Sequence, residues 1–159
     1  MTAKQDTVLD EVHDADGDSQ KDKYLTFQIG TEGFGIEIEF VTEIIGIQKI
    51  TVIPEMPDYI KGIINLRGKI IPVMDVRARF HLEPRAYDER TCVVVVEING
   101  MSMGLVVDTV REVANIPESQ VESATGFNIG KPNAFIRGIG KFGDDTKIIL
   151  DVNKLLYDA

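Results

Sequence analysis

The side chains able to do chemistry are few and scattered. The chain has two histidines, His13 and His81, and one cysteine, Cys92. His13 stands in a polar, acidic stretch and His81 at the end of a short helical pattern. Neither has a Cys, Asp or Glu at the spacing that a metal tetrahedron or a nucleophilic triad requires. Cys92 opens the apolar run 93–96 and reads as a buried strand thiol, since no histidine accompanies it as a base. Glu37 and Glu39 resemble an acid–base pair, but they occupy the outward positions of an alternating strand, where solvation explains them. Asp14, Asp16 and Asp18 alternate around Gly17 like the start of a calcium loop; the loop pattern then needs Gly and Glu where the chain has Ser19 and Leu25. Gly138-Ile139-Gly140-Lys141-Phe142-Gly143 fits G-x-G-x-x-G, the dinucleotide fingerprint. That fingerprint requires a helix next, whereas here a strand follows, and Asp144 and Asp145 would repel a phosphate. These residues predict no catalysis, no metal and no cofactor.

The bulk properties narrow the remaining classes. At 159 residues the chain is expected to be a single domain, and a domain of that size buries roughly 70% of its unfolded surface. The net charge of −9 repels nucleic-acid backbones, and the lysines and arginines are interleaved with acids and apolar residues rather than gathered into a patch. A single cysteine excludes an internal disulfide and fits a reducing compartment. No stretch resembles a signal peptide, and no apolar run approaches the ~20 residues needed to cross a bilayer. The expectation is a soluble, acidic, cytoplasmic protein.

Residues 1–22 are polar and acidic, with too little apolar surface to offset the entropy of ordering, and read as a disordered tail. From Tyr24 the period is two: Leu25, Phe27 and Ile29, then Ile36, Ile38 and Phe40, with the turn Gly30-Thr31-Glu32-Gly33 between them. This predicts a hairpin with one buried face. Residues 41–45 read as a helical turn or bend and residues 50–53 as a strand, followed by a loop at Pro54 and Pro57. Two β-branched runs, 60–66 and 69–74, flank Arg67-Gly68 and predict a second hairpin, with Gly68 at positive φ. Asp75 is a plausible N-cap for a short helix over 76–81.

The second half repeats the first. Ile136-Arg137-Gly138-Ile139 matches Ile60-Lys61-Gly62-Ile63, and Asp151-Val152 matches Asp75-Val76, at a common offset of 76. Val96, Ile98, Val110, Glu112 and Val113 match Phe27, Ile29, Val41, Glu43 and Ile44 at an offset of 69. The change of offset places an insertion near residues 121–130. Two copies, about 24–82 and about 91–156, each supply about five strands, enough for a small closed barrel. A barrel that small is marginal alone, so the two should share a core, with a groove between them. The fold class is mostly β: two pseudo-repeated five-stranded barrels with a few short helices.

Docking remains as the function such a frame can carry. Asn65 and Arg67 are polar exceptions in a very apolar segment, lifted into solvent by the turn, and the matching turn of the second copy has lost both. Loss of symmetry at otherwise matched positions marks the first copy's turn as specialised for contact. The plainer reading is a turn residue and a surface acid, worth under ~1 kcal/mol as a pair.

At Phe34-Gly35-Ile36-Glu37-Ile38, Val41-Thr42-Glu43-Ile44, Pro57-Asp58-Tyr59-Ile60-Lys61-Gly62, Asn65-Leu66-Arg67-Gly68, Ile71-Pro72-Val73-Met74-Asp75 and Gly104-Leu105-Val106-Val107-Asp108, the sequence resembles the CheW family of bacterial chemotaxis coupling proteins. The resemblance covers residues 23–159 and is most specific around Asn-Leu-Arg-Gly. It implies two OB- or SH3-like barrels, possibly exchanging segments, in a non-enzymatic adaptor. The adaptor would be a monomer in isolation, without membrane or nucleic-acid contact, recruited to receptor arrays at the inner face of the membrane. Its implied partners are the cytoplasmic tip of chemoreceptors and the regulatory domain of the histidine kinase CheA. The implied contact residues are Val41, Glu43, Gly62, Asn65, Arg67, Val110 and Val113, with Gly62 needed where a side chain would obstruct close approach. The competing class is an OB-type nucleic-acid or ligand-binding module, which would need stacking aromatics in a basic groove.

Overall fold

A computed structural model describes residues 20–123 and 135–157. The tail residues 1–19, including Asp14, Asp16 and Asp18, and most of the expected insertion lie outside the described residues. Among the described residues eleven strands form, in chain order: β1 (Lys23–Ile29), β2 (Glu32–Glu37), β3 (Val41–Gly46), β4 (Ile60–Leu66), β5 (Lys69–Asp75), β6 (Cys92–Ile98), β7 (Met101–Val107), β8 (Thr109–Asn115), β9 (Val121–Ser123), β10 (Ile136–Phe142) and β11 (Asp145–Leu150). Helix α1 spans Val76–Arg79 and helix α2 spans Val152–Tyr157. Asp75 caps α1 through its side chain, which accepts from the Ala78 N–H, and Asp151 caps α2 in the same way, from the Lys154 N–H.

The strands do not sort by copy. One sheet has the order β8-β1-β2-β11-β10-β9 and the other β3-β6-β7-β5-β4. The opening hairpin β1–β2 of the first copy therefore joins the second copy's strands, and β6–β7 of the second copy joins the first copy's strands. The pairings obey the repeat: β2 runs parallel to β11 as β7 runs parallel to β5. Likewise β1–β8 and β6–β3 are antiparallel, with a bulge at matching positions. The segment exchange that the family resemblance suggested is thus present, and it explains why neither copy could fold as an independent barrel.

Three apolar clusters follow from this exchange. Ile45, Ile64, Ile71, Val73, Val93, Val95 and Val106 fill the five-stranded sheet, and Tyr24, Ala114, Ile116 and Ile149 fill the six-stranded one. Between them lies the largest cluster, with Phe27, Ile36, Ile38, Ile44, Met74, Val94, Leu105, Leu150 and Leu155 among its members. A fully buried side chain of the size of Phe27 or Leu105 contributes roughly 1.5–3 kcal/mol, so the exchanged hairpins are held by the shared core rather than by their turns.

Several local expectations need correction. Residues 41–45 form strand β3, not a helical turn, because Ile44 enters the shared core and Ile45 the barrel interior on opposite faces of one strand. Strand β2 stops at Glu37, and Ile38–Phe40 forms a 3₁₀ turn that carries the chain into β3. The expected strand 50–53 reduces to a single bridge, Thr51 with Ile63. In the second copy the matching bridge has grown into β9, which gives that sheet a sixth strand. Helix α1 is one turn long and ends at Arg79, before His81, which adopts positive φ. Asp22, assigned by sequence to the tail, accepts a hydrogen bond from the Ile116 N–H through its carbonyl.

Candidate docking surface

The β4–β5 turn shows why its residue types are found there. Arg67 and Gly68 both adopt positive φ, +53° and +88°, as a two-residue hairpin turn demands. Gly68 does so without cost, and Arg67 is a non-glycine residue in the left-handed region. The Asn65 side-chain oxygen accepts from the Gly68 N–H at 2.8 Å, an Asx-type bond that braces the turn from within. Asn65 is exposed, and Arg67 keeps 69% of its side chain in solvent.

Arg67 reaches back across the barrel to Glu43, with Nη2 donating to Oε2 at 2.5 Å. Glu43 stands on β3 and Arg67 at the tip of β4, so the ion pair links the two outer strands of one five-stranded sheet. A β-bulge falls between Val41 and Glu43, on the strand that carries this carboxylate. Hydrogen bonding to Glu43 and its negative charge raise the Arg67 pKa above the ordinary value, and the guanidinium is charged at every relevant pH. Glu43 and Arg67 therefore stand together at this turn.

Other expected residues fall differently. Val41 is 2% exposed and belongs to the shared core, so it supports β3 from beneath and does not line a surface. Its expected place at the surface is corrected accordingly. Its repeat mate Val110 and nearby Val113, the mate of Ile44, lie on β8 of the six-stranded sheet, are half-buried and pack on the same core. Gly62 lies inside β4 at φ +146°, and a Cβ there would sit 2.1 Å from the Thr51 carbonyl oxygen. The close approach that forbids a side chain is that of the chain's own Thr51 segment. At the matching Gly138, a Cβ would meet the Glu122 carbonyl oxygen at 2.3 Å. Both glycines thus serve the same internal closure.

Exposure points to residues that sequence reasoning passed over. Strands β5 and β7 run parallel with Val73 beside Gly104, which sets Ile70 and Met101 alongside each other. These two are 55% and 58% exposed. Lys69 and Ser102, next in chain to them, are hydrogen-bonded at 2.9 Å. Tyr157, also exposed, donates its hydroxyl to the Ile98 carbonyl opposite Met101. The face is continuous with the shared core, because Met74 and Leu105 lie further along the same side of β5 and β7. Period-two alternation does not tell where along β5 the covered face ends; the parallel β5–β7 pairing does.

A half-buried polar cluster fixes the crossing between sheets. Asp108, between β7 and β8, accepts hydrogen bonds from the Gly30 N–H at 2.7 Å, from Arg77 at 2.6 and 2.9 Å and from Arg85 at 3.0 Å. Burial pushes the Asp108 carboxyl up, but the bonds from Arg77 and Gly30 and the charges of Arg77 and Arg85 outweigh it and hold it below the ordinary value. This cluster ties the β1–β2 turn, helix α1 and the segment between the copies to one carboxylate, and its role is structural.

The remaining geometry does not favour other chemistries. Among the described residues no group of three His, Cys, Asp or Glu could hold a metal ion, and Cys92 is buried. Gly138 to Gly143 lie on β10 and its turn into β11, a hairpin rather than a strand-to-helix turn. Phe27 and Phe34 stack on each other inside the shared core, so they offer no platform for bases. A cavity of about 570 Å³ lies away from the expected groove residues, lined by Tyr24, Glu37, Glu39, Val121 and Arg137. No helix among the described residues is long and apolar enough to cross a membrane.

Comparison with known proteins agrees with this frame. The family model described as "CheW-like domain" matches residues 23–159. The chemotaxis protein CheW of Klebsiella aerogenes is 36% identical over 140 residues, covering 88% of this chain and 84% of that protein. The CheW of Bacillus subtilis is 30% identical over 135 residues, covering 85% of this chain and 86% of its own length. Among solved structures, the scaffolding protein TtCheW from Thermoanaerobacter tengcongensis superposes with a TM-score of 0.78 at 39% identity, covering 86% of this chain and 92% of that one. On its sequence, its exchanged double barrel and these relatives, the chain belongs to the CheW-like family, chemotaxis scaffolds and adaptors rather than enzymes.

Proposed function

We propose that this protein couples chemoreceptors to the histidine kinase CheA, with the cytoplasmic receptor tip and the kinase regulatory domain engaging different faces. The observation that carries the reading is the Glu43–Arg67 pair at an exposed turn beside an unpaired apolar strip, Ile70 and Met101. The receptor surface is composite: Glu43 and Arg67 belong to the five-stranded sheet and Val110 and Val113 to the six-stranded one. Half-buried valines on one sheet and a fixed polar pair on the other would together suit the apolar stripe and polar edge of a helix laid into a groove. Asn65 shapes the turn that presents Arg67, and Gly62 allows the Thr51 segment to close the barrel beneath it. The exposed apolar pair Ile70 and Met101 suits a second β-barrel packed face to face, as the kinase domain would be. Such an adaptor works in the cytoplasm at receptor arrays. Co-sedimentation with purified CheA and receptor-tip fragments tests the reading: retention by both is expected, and retention by neither would overturn it.

A further inference from the structure

Where the two sheets meet, one cation touches both. Arg79, at the end of α1, is 5% exposed. Its guanidinium lies 4.2 Å from the ring centre of Tyr59 and 4.3 Å from that of Phe135. Tyr59 and Phe135 are mates in the repeat, each leading into the strand that follows it, β4 and β10. The carbonyl oxygen of each accepts from the corresponding helix cap: Tyr59 from the Asp75 N–H and Phe135 from the Asp151 N–H, both at 2.8 Å. The Arg79 Nε–H donates to the carbonyl of Leu155 on α2, at 3.2 Å. Leu155 is itself the repeat mate of Arg79, at the same offset of 76. A single side chain therefore stands where the pseudo-symmetry brings the two copies face to face. Phe80 extends the joint, stacking on Phe34 of β2 and meeting Phe135 edge-on.

We propose that Arg79 is a positioning residue for the composite surface, setting the spacing between its two halves. Glu43 and Arg67 ride on the sheet that Tyr59 enters, and Val110 and Val113 on the sheet that Phe135 enters. A guanidinium held between both rings resists relative displacement of the two strand entries, because moving either ring away forfeits a desolvated cation–π contact. The Ile70–Met101 strip lies within one sheet, so its geometry does not depend on this joint. This inference rests on the proposed division of the two docking faces, and it predicts an asymmetric effect that simple loss of stability does not produce.

The test uses the full chain and the variants Arg79→Met and Tyr59→Leu. Amide hydrogen exchange in residues 59–62, 136–139 and 152–157 should rise roughly tenfold in both variants, the order expected for a lost desolvated cation–π contact, while β6 is unchanged. Titration with a receptor-tip fragment should show affinity falling about fivefold or more, with affinity for the CheA regulatory domain retained. Unchanged exchange at the strand entries would overturn the proposal, as would a uniform rise across all strands or an equal loss of both affinities. If the wild-type chain binds neither fragment, the proposed function fails by itself. The exchange comparison then still decides whether Arg79 holds the joint.

Discussion

The β4–β5 and β10–β11 turns occupy equivalent places in the repeat and carry different residues. The first reads Asn65-Leu66-Arg67-Gly68-Lys69 and the second Lys141-Phe142-Gly143-Asp144-Asp145. The strand facing each is alike: Glu43 and Glu112 follow the same bulge on β3 and β8. Arg67 pairs with Glu43, whereas Gly143 offers no side chain, and among the described residues no ion pair involves Glu112. Both hairpins form, so the fold does not require an arginine at this turn. A charged side chain in the left-handed region, where the other copy has glycine, is surplus to forming the hairpin, and the proposed docking role accounts for it. The glycines at 62 and 138 teach the opposite lesson, since both copies retain them for one internal reason.

Breaking that shared reason should have the largest effect. Gly62→Ala places a methyl group against the Thr51 carbonyl oxygen in a positive-φ conformation. Strain and displaced backbone together should cost about 4 kcal/mol, seen as a lower urea midpoint. Gly138→Ala meets the Glu122 carbonyl without positive φ and should cost less. Equal stability of wild type and Gly62→Ala would remove the closure argument.

The crossing residues offer the next contrast. Asp108 and its repeat mate Glu39 occupy matched positions, but Asp108 is half-buried against Arg77 and Arg85 and Glu39 is exposed. Asp108→Asn should cost about 3 kcal/mol at neutral pH, since it leaves Arg77 without its charge partner, and Glu39→Gln almost nothing. Because the folded-state pKa of Asp108 is depressed, its stabilisation is complete above the unfolded carboxylate value of about 3.9 and is lost as pH falls through the folded value. The stability gap between wild type and Asp108→Asn should therefore close below about pH 4. A gap that persists in acid would show that the carboxylate's charge is not what holds the cluster.

The turn itself should give the smallest stability changes. Asn65→Ala removes one bracing hydrogen bond and should cost about 1 kcal/mol. Arg67→Gly, which copies the second repeat's residue, should leave the midpoint unmoved. A marked loss of stability in Arg67→Gly would make the residue a structural one.

Much of the frame was legible because it rests on local chemistry. Period two located the hairpins, Asp75 announced its helix, and the offset of Ile136-Arg137-Gly138-Ile139 from Ile60-Lys61-Gly62-Ile63 exposed the repeat. Among the expected contact residues, Arg67 and Asn65 stood out by their polarity within an apolar segment, and Glu43 came from the repeat and the family resemblance. Val41 was misplaced, because an apolar strand residue looks the same whether it faces a groove or the shared core, and only the sheet pairing decides. Ile70 and Met101 were missed for the converse reason, since their exposure depends on where the covered face of β5 and β7 ends. Arg79 gave no signal at all: its partners Tyr59, Phe135 and Leu155 are brought to it by the pseudo-symmetry.

The central claim is that the Glu43–Arg67 pair shapes a receptor-docking surface, and a charge-swap series measured by titration with a receptor-tip fragment tests it most directly. Arg67→Glu should weaken binding about tenfold or more, the loss associated with a like-charge clash in a binding rim. Adding Glu43→Arg should recover part of that loss, while affinity for the CheA regulatory domain stays constant throughout. Wild-type receptor affinity in Arg67→Glu would contradict the claim.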